Sequence, residues 1–127
     1  VSHSFDATRG VVVVPAELHG PAGSVVLHLA VDTGATQTMI NVGLLAFAGY
    51  DPSLVPDRVQ VTTGSGVEYA PRVPVERIQA LGQERQQFPV LAHTLPPSAH
   101  IDGLLGLDYM RAQQLTIDFR RNTVSLS

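Results

Sequence analysis

The chain contains no cysteine, which removes disulfide scaffolds, thiolate chemistry and cysteine-based zinc sites from consideration. That absence leaves the compartment open, because reducing and oxidising environments both tolerate a cysteine-free chain. Charge is scarce as well. Charged residues make up 15% of the sequence, against roughly 25% in an average soluble domain, so much of the surface is uncharged and part of it can face a partner. The net charge of -3 and the pI near 5.9 provide no cationic footprint, which argues against a nucleic-acid protein. Long apolar runs are missing too. Val11 to Val14 and Leu29 to Val31 are among the longest, far short of the roughly 20 residues that cross a bilayer. No basic segment followed by an apolar core opens the chain at Val1, so no signal peptide is visible, and a membrane anchor would have to lie upstream.

What is present is enough chain for one domain, expected over residues 1–127, with 1–10 as a flexible lead-in. Short β-branched runs cut by Gly and Pro indicate an all-β domain with one or two short helices. Val11 to Leu18, broken after Val14 by Pro15, and Ser24 to Val31 form a hairpin around Gly20-Pro21-Ala22-Gly23. Asn41 caps a brief helix over Val42 to Ala48 that stops at Gly49. Arg58 to Thr63 and Val67 to Val73 flank Gly64-Ser65-Gly66, a hairpin whose tip can flex. Val75 to Ala80 and Gln87 to Ala92 are further strands, and Asp108 stands at the N-cap of a helix over Tyr109 to Gln114. A last hairpin joins Leu115 to Phe119 with Val124 to Leu126. There is no repeat of fixed period.

The chemistry concentrates in Leu29-Ala30-Val31-Asp32-Thr33-Gly34-Ala35-Thr36, where an apolar strand delivers a carboxylate into a turn of small residues. An isolated Asp-Thr-Gly would read first as a turn that bonds its own backbone. Two features favour a functional acid here: the strand before it is continuous and apolar, and a second informative segment follows about seventy residues on. That segment is Ile101-Asp102-Gly103-Leu104-Leu105-Gly106-Leu107-Asp108-Tyr109-Met110. Asp102 and Asp108 themselves read as capping residues rather than catalysts, given the preference of Asp for such positions. The five histidines, His3, His19, His28, His93 and His100, have no metal-ligand spacing, and Arg120-Arg121 reads as a solvated turn.

From Val11 to Leu126 the chain resembles the retropepsin-like aspartic proteases, more closely their bacterial single-domain members than the viral ones. The carriers are the Asp32-Thr33-Gly34-Ala35-Thr36 loop, the Gly64-Ser65-Gly66 hairpin and Leu104-Leu105-Gly106 before a short helix, in that order and spacing. The resemblance implies an acid-protease barrel that is half of a two-fold homodimer, because one Asp-Thr-Gly loop supplies only half a site. It implies Asp32, Thr33 and Gly34 as the catalytic set, with Thr33 bonding across the dimer and Gly34 admitting close approach of backbone. It also implies substrate contacts from Ala35 and Thr36, from a flap formed by Thr63, Gly64, Ser65, Gly66 and Val67, and from Leu105 in a specificity pocket. No metal or cofactor is called for. The substrate is a peptide or protein, and a periplasmic or periplasm-facing location is implied by likeness to bacterial members alone.

Two departures from the family pattern matter. Viral members pair an acid at the position of Thr36 with an arginine at that of Leu107, and here both are uncharged, which leaves the substrate-backbone contacts at Thr36 unassigned. Ala35 lacks the hydroxyl that a serine would place beside the carboxylate. Losing a donor that favours the ionised form predicts activity reaching toward mildly acidic or neutral pH. In the resembled fold the termini of two subunits interleave, so Leu115, Ile117, Phe119, Val124 and Leu126 either join such a sheet or complete the core. The competing function is a catalytically silent dimerisation or peptide-binding module that keeps the fold.

Overall fold

The structure is a computed structural model that describes residues 1–127, the side chain of Thr63 excepted. Its ten strands are β1 (Ser2–Ser4), β2 (Val13–Gly20), β3 (Gly23–Val31), β4 (Met39–Ile40), β5 (Arg58–Thr63), β6 (Gly66–Ala80), β7 (Gln83–Ala92), β8 (Gly103–Leu105), β9 (Leu115–Asp118) and β10 (Thr123–Leu126). Two short α-helices, α1 (Val42–Phe47) and α2 (Leu107–Met110), accompany them, with single 3-10 turns at Pro52–Leu54 and Pro97–Ala99. The expected mostly-β architecture is therefore present.

Strands run in the order β2-β3-β8-β4-β7-β6, and pairing of β2 with β6 closes them into a six-stranded barrel. Closure leaves these strands few open edges. β5 pairs with β6 alone, so the β5–β6 hairpin projects from the barrel as an arm. Alternation explains the hairpin of β2 and β3: Leu27 and Leu29 are buried while Val26 and His28 face out. From Leu29 onward the strand is covered on both sides, because β8 runs parallel to it with Leu29, Ala30 and Val31 opposite Gly103, Leu104 and Leu105.

Prolines account for two differences from expectation. β2 does not break at Pro15 but continues through it to Gly20. Pairing with β6 starts only at Ala16, so on that side Pro15 has no ladder bond to lose. Likewise β6 is one strand of 15 residues rather than two. Its partner changes from β5 at Pro71 to β7 at Arg72, and near this exchange one edge of the strand is free to accept Pro71 and Pro74.

Valine, leucine and isoleucine from every barrel strand fill the core around Tyr109, whose ring is fully buried. Its hydroxyl accepts from Ala80 N at 3.0 Å and donates to the Gln83 carbonyl at 2.6 Å, so the polar end of the ring is satisfied inside the barrel. Arg85 lies over the ring at 4.6 Å from its centroid and donates to the Tyr109 carbonyl at 2.9 Å.

A second, three-stranded sheet runs β1-β10-β9. Residues 1–10 thus supply a strand within the chain, with His3 opposite Val124. β10 has a partner on each edge from its own chain, and Val124 and Leu126 belong to the core. Leu115 and Ile117 pack partly against that core, whereas Phe119 is exposed and meets Phe5 edge-on.

Candidate active site

β3 ends by presenting Asp32, and the loop that follows is held from several directions. Asp32 N donates to the Leu105 carbonyl at 3.0 Å, which ties the loop to β8. Gly34 N donates to Asp32 Oδ1 at 2.8 Å, and Ala35 N to the Asp32 carbonyl at 3.2 Å. A Cβ at Gly34 would lie 3.1 Å from the carboxylate oxygen, tighter than ordinary contact, so glycine lets the backbone close on the acid. The Asp32 side chain is half-buried, while Thr33, Gly34 and Thr36 are exposed.

Beneath the loop lies the Leu104-Leu105-Gly106 segment. A Cβ at Gly103 would sit 2.0 Å from the Met39 carbonyl, and one at Gly106 2.7 Å from the Gln37 carbonyl carbon. Both glycines are required because β8 is wedged between β3 and β4 and then passes directly under residues 35–37. The first amides of α2 continue the support: Leu107 N donates to the Ala35 carbonyl at 2.8 Å and Asp108 N to that of Thr36 at 3.3 Å.

Asp108 departs from its expected role. Helix α2 spans Leu107–Met110 with Gly106 at its N-cap, so Asp108 lies inside the first turn rather than capping a helix over Tyr109 to Gln114. Its carboxylate turns away from its own helix toward Thr38, accepting from the backbone N at 3.0 Å on each oxygen and from Oγ1 at 2.7 Å. Thr38 is the one fully buried polar side chain among the described residues, and its Oγ1 accepts from Gly106 N at 3.1 Å. An acid on α2 therefore anchors the outgoing arm of the Asp32 loop. Asp102 also bonds across the fold, accepting from His28 N on β3 at 2.8 Å. The sequence carried no local signal for either contact, since both partners lie about seventy residues away.

Over Asp32 opens a cleft of about 340 Å³ between this loop and the β5 arm. Gly34, Ala35 and Thr36 line one wall, Val59, Gln60, Val61 and Thr62 the other, and Met39, Leu91 and Leu104 the floor. Of the expected substrate contacts, Ala35 and Thr36 line this cleft. Leu105 does not: it is fully buried in the core, and its neighbour Leu104 faces the cleft instead. Side chains alternate along β8, so only one of the two leucines can point each way. The hairpin tip of Gly64, Ser65, Gly66 and Val67 is exposed and lies outside the cleft lining, which is drawn from the β5 side of the hairpin. The backbone of Thr63 pairs with Gly66, and its side chain falls outside the described residues.

Thr33 faces elsewhere, into a shallow groove with Leu107, Met110 and Leu115. Leu107 thus adds apolar surface to this groove. Among the described residues no group of three or more His, Asp or Glu side chains is placed to hold a metal. His19, His28 and His93 are instead paired with Glu17, Asp102 and Glu68. No described helix is long and apolar enough to cross a membrane.

This geometry has counterparts among known proteins. A family model described as aspartyl protease matches residues 14–109, which takes in the Asp32 loop, the β5–β6 hairpin and β8. The fold is similar to that of a retropepsin-like aspartic protease from Rickettsia conorii, with a TM-score of 0.73 and 16% identity over 99% of this chain and 88% of that one. It is also similar to the retroviral protease-like domain of Ddi1 from Leishmania major, with a TM-score of 0.58 and 20% identity over 94% of this chain and 96% of that one. No curated protein sequence matches.

Proposed function

Because this chain belongs to the aspartyl protease family, we propose that it is an endopeptidase whose active site forms when two copies bring their Asp32 side chains together on a two-fold axis. The observation that carries this reading is the placement of Asp32: a carboxylate at a strand end, contacted by Gly34 N at 2.8 Å, in a loop braced from below and open to a cleft. Amide hydrolysis needs a base for the attacking water and an acid for the carbonyl oxygen. Two carboxylates in contact cannot both ionise readily, so the pair holds one proton and offers both functions, a behaviour general to the paired carboxylates of aspartic proteases. Water loses a proton to the ionised Asp32 as its oxygen adds to the carbonyl carbon, and the protonated Asp32 gives its proton to the carbonyl oxygen. Collapse of the tetrahedral species breaks the C–N bond: the proton taken from water passes to the leaving nitrogen, and one hydroxyl of the species returns its proton to the other Asp32 as the product C=O forms.

The mostly aliphatic floor and the two β-like walls suit an extended peptide with apolar side chains near the cut. Closure of the β5–β6 hairpin over such a peptide would exclude water from the bond being cleaved, with Thr63 to Val67 covering it. Thr33 lines a groove that a second copy would cover, which supports a bond from its hydroxyl across the proposed dimer.

Incubation of the purified protein with a diverse peptide library from pH 4 to 8, beside Asp32→Asn, tests the mechanism. Cleavage by the wild type alone is expected. Cleavage that persists in Asp32→Asn refutes the carboxylate pair, and peptide binding without cleavage by either protein identifies a silent binding module. Sedimentation tests the dimer independently, since a strictly monomeric protein cannot assemble the pair.

A further inference from the structure

The small sheet built from the two ends of the chain has an edge beside the Thr33 groove that no strand covers. In the order β1-β10-β9, β10 is closed on both sides by its own chain, while β9 pairs on one side only. Gln114 N donates to the Ser127 carbonyl at 2.8 Å, and Ser127 N to that of Gln114 at 3.0 Å. Hydrogen-bonded pairs alternate along an antiparallel ladder, so in the register of Leu115 with Leu126, Thr116 with Ser125 and Ile117 with Val124, the backbone groups of Thr116 point to β10. Those of Leu115 and Ile117 point the other way. No described strand takes them up.

An open strand edge is a template for another strand, and this one is complementary to itself. Two β9 strands set antiparallel with Thr116 on a two-fold axis oppose Leu115 of each copy to Ile117 of the other. These are the residues with free backbone groups, so both opposed pairs exchange N–H···O bonds. Centring the pairing on Leu115 or Ile117 instead would carry it beyond the strand, to Gln113 or Phe119. Leu115, Thr116 and Ile117 are uncharged, and Gln114 falls opposite Asp118, whose Oδ1 already accepts from Arg120 N and Arg121 N. No like charges meet across the axis. Leu115 also lines the groove that holds Thr33, so the paired edges lie beside the loop that has to reach the axis.

We infer that two copies join edge to edge through β9, with Thr116 on the axis, merging their three-stranded sheets into one without exchanging terminal strands. Interleaved termini need a free edge on β10, and β1 and β9 occupy both. This assembly rests on the two-copy site proposed above and adds its regulation. Each copy folds with only one short edge left unpaired, so the active site is switched on by protein concentration through a reversible association.

Disulfide trapping tests the arrangement, because the chain has no cysteine of its own. Directly opposed residues between hydrogen-bonded pairs have Cα atoms about 4.5 Å apart, within the roughly 4.4–6.8 Å that a disulfide spans. Thr116 is exposed, and oxidised Thr116→Cys is expected to run as a covalent dimer on a denaturing gel. The Ser2→Cys/Ser125→Cys double variant joins residues opposed within one chain, so its bridge should be internal and the chain should run as a monomer. Oxidised Thr116→Cys should hold its specific activity on dilution, whereas the wild type should lose about tenfold for each tenfold dilution below its association midpoint. Covalent dimers from the double variant but none from Thr116→Cys would reveal exchanged strands and overturn the inference. A wild type that sediments as a dimer and cleaves peptides while Thr116→Cys stays unlinked also overturns it, and leaves the endopeptidase reading standing. Cross-linking at Thr116→Cys with no cleavage by the wild type overturns the endopeptidase reading and supports the β9 pairing. A strictly monomeric wild type overturns both.

Discussion

Replacing Asp108 by alanine isolates the contact that anchors the Asp32 loop to α2. The carboxylate accepts from Thr38 N at 3.0 Å and from Thr38 Oγ1 at 2.7 Å, and Thr38 is completely buried. A hydrogen bond to a charged group contributes about 1.5–3 kcal/mol, and a buried donor left without an acceptor costs a similar amount. Two such donors would set an upper figure of about 6 kcal/mol. Asp108 is only half-buried, so water can enter the vacated space and satisfy part of the loss. The expected destabilisation is therefore about 2–4 kcal/mol, a large share of the roughly 5–15 kcal/mol that holds a domain together. Urea unfolding followed by far-UV circular dichroism reads this directly, and the absence of tryptophan makes it preferable to fluorescence. Asp108→Asn keeps an oxygen that can accept from Thr38, so it should lose less than half as much. Activity should follow the same order, with kcat falling about tenfold or more in Asp108→Ala as the loop loosens. A cost under about 0.5 kcal/mol for alanine, or equal costs for asparagine and alanine, would refute the anchoring argument.

Two further outcomes are expected. Burial raises the Tyr109 hydroxyl above its usual pKa of 10.0. A group raised in the folded state contributes stability that is present below the unfolded value and is lost as pH climbs through the folded one. Wild-type stability should thus fall steeply in alkali above about pH 10, measured by urea midpoints at stepped pH. Tyr109→Phe should be less stable at pH 7 because Ala80 N and the Gln83 carbonyl lose their partner, yet show a shallower alkaline decline; equal slopes would sink the assignment. Ala35→Ser introduces a hydroxyl donor beside the Asp32 carboxylate, and the acid limb of the kcat/KM profile should move to lower pH. A profile that stays in place would show that the missing hydroxyl does not set the working range.

Much of the fold follows from patterns a few residues long. β5 runs over Arg58–Thr63 as the β-branched run and the glycines after it predict, and Asn41 caps α1 through its bond to Gly43 N at 2.8 Å. The prolines misled because proline forbids a hydrogen bond only where a neighbouring strand asks for one. Whether a neighbour is present at residue 15, 71 or 74 is settled by strands far away in the chain. The choice between Leu104 and Leu105 was hidden for a similar reason. Two adjacent leucines look alike in sequence, and their directions depend on how β8 is registered between β3 and β4.

The chemistry on offer is written in residue order: one acid at the end of an apolar strand, no thiol, little charge, and glycines where backbone must pass close to backbone. These are local properties, since the carboxylate and the turn that presents it lie within a few bonds of each other. The surroundings of that acid are not local. Folding places Asp108 against Thr38, and Leu104 in the cleft and Leu105 in the core. It also uses the first residues of the chain to cover the free edge of β10. Each of these arrangements joins groups distant in sequence, and the closure of the barrel is what brings them within reach.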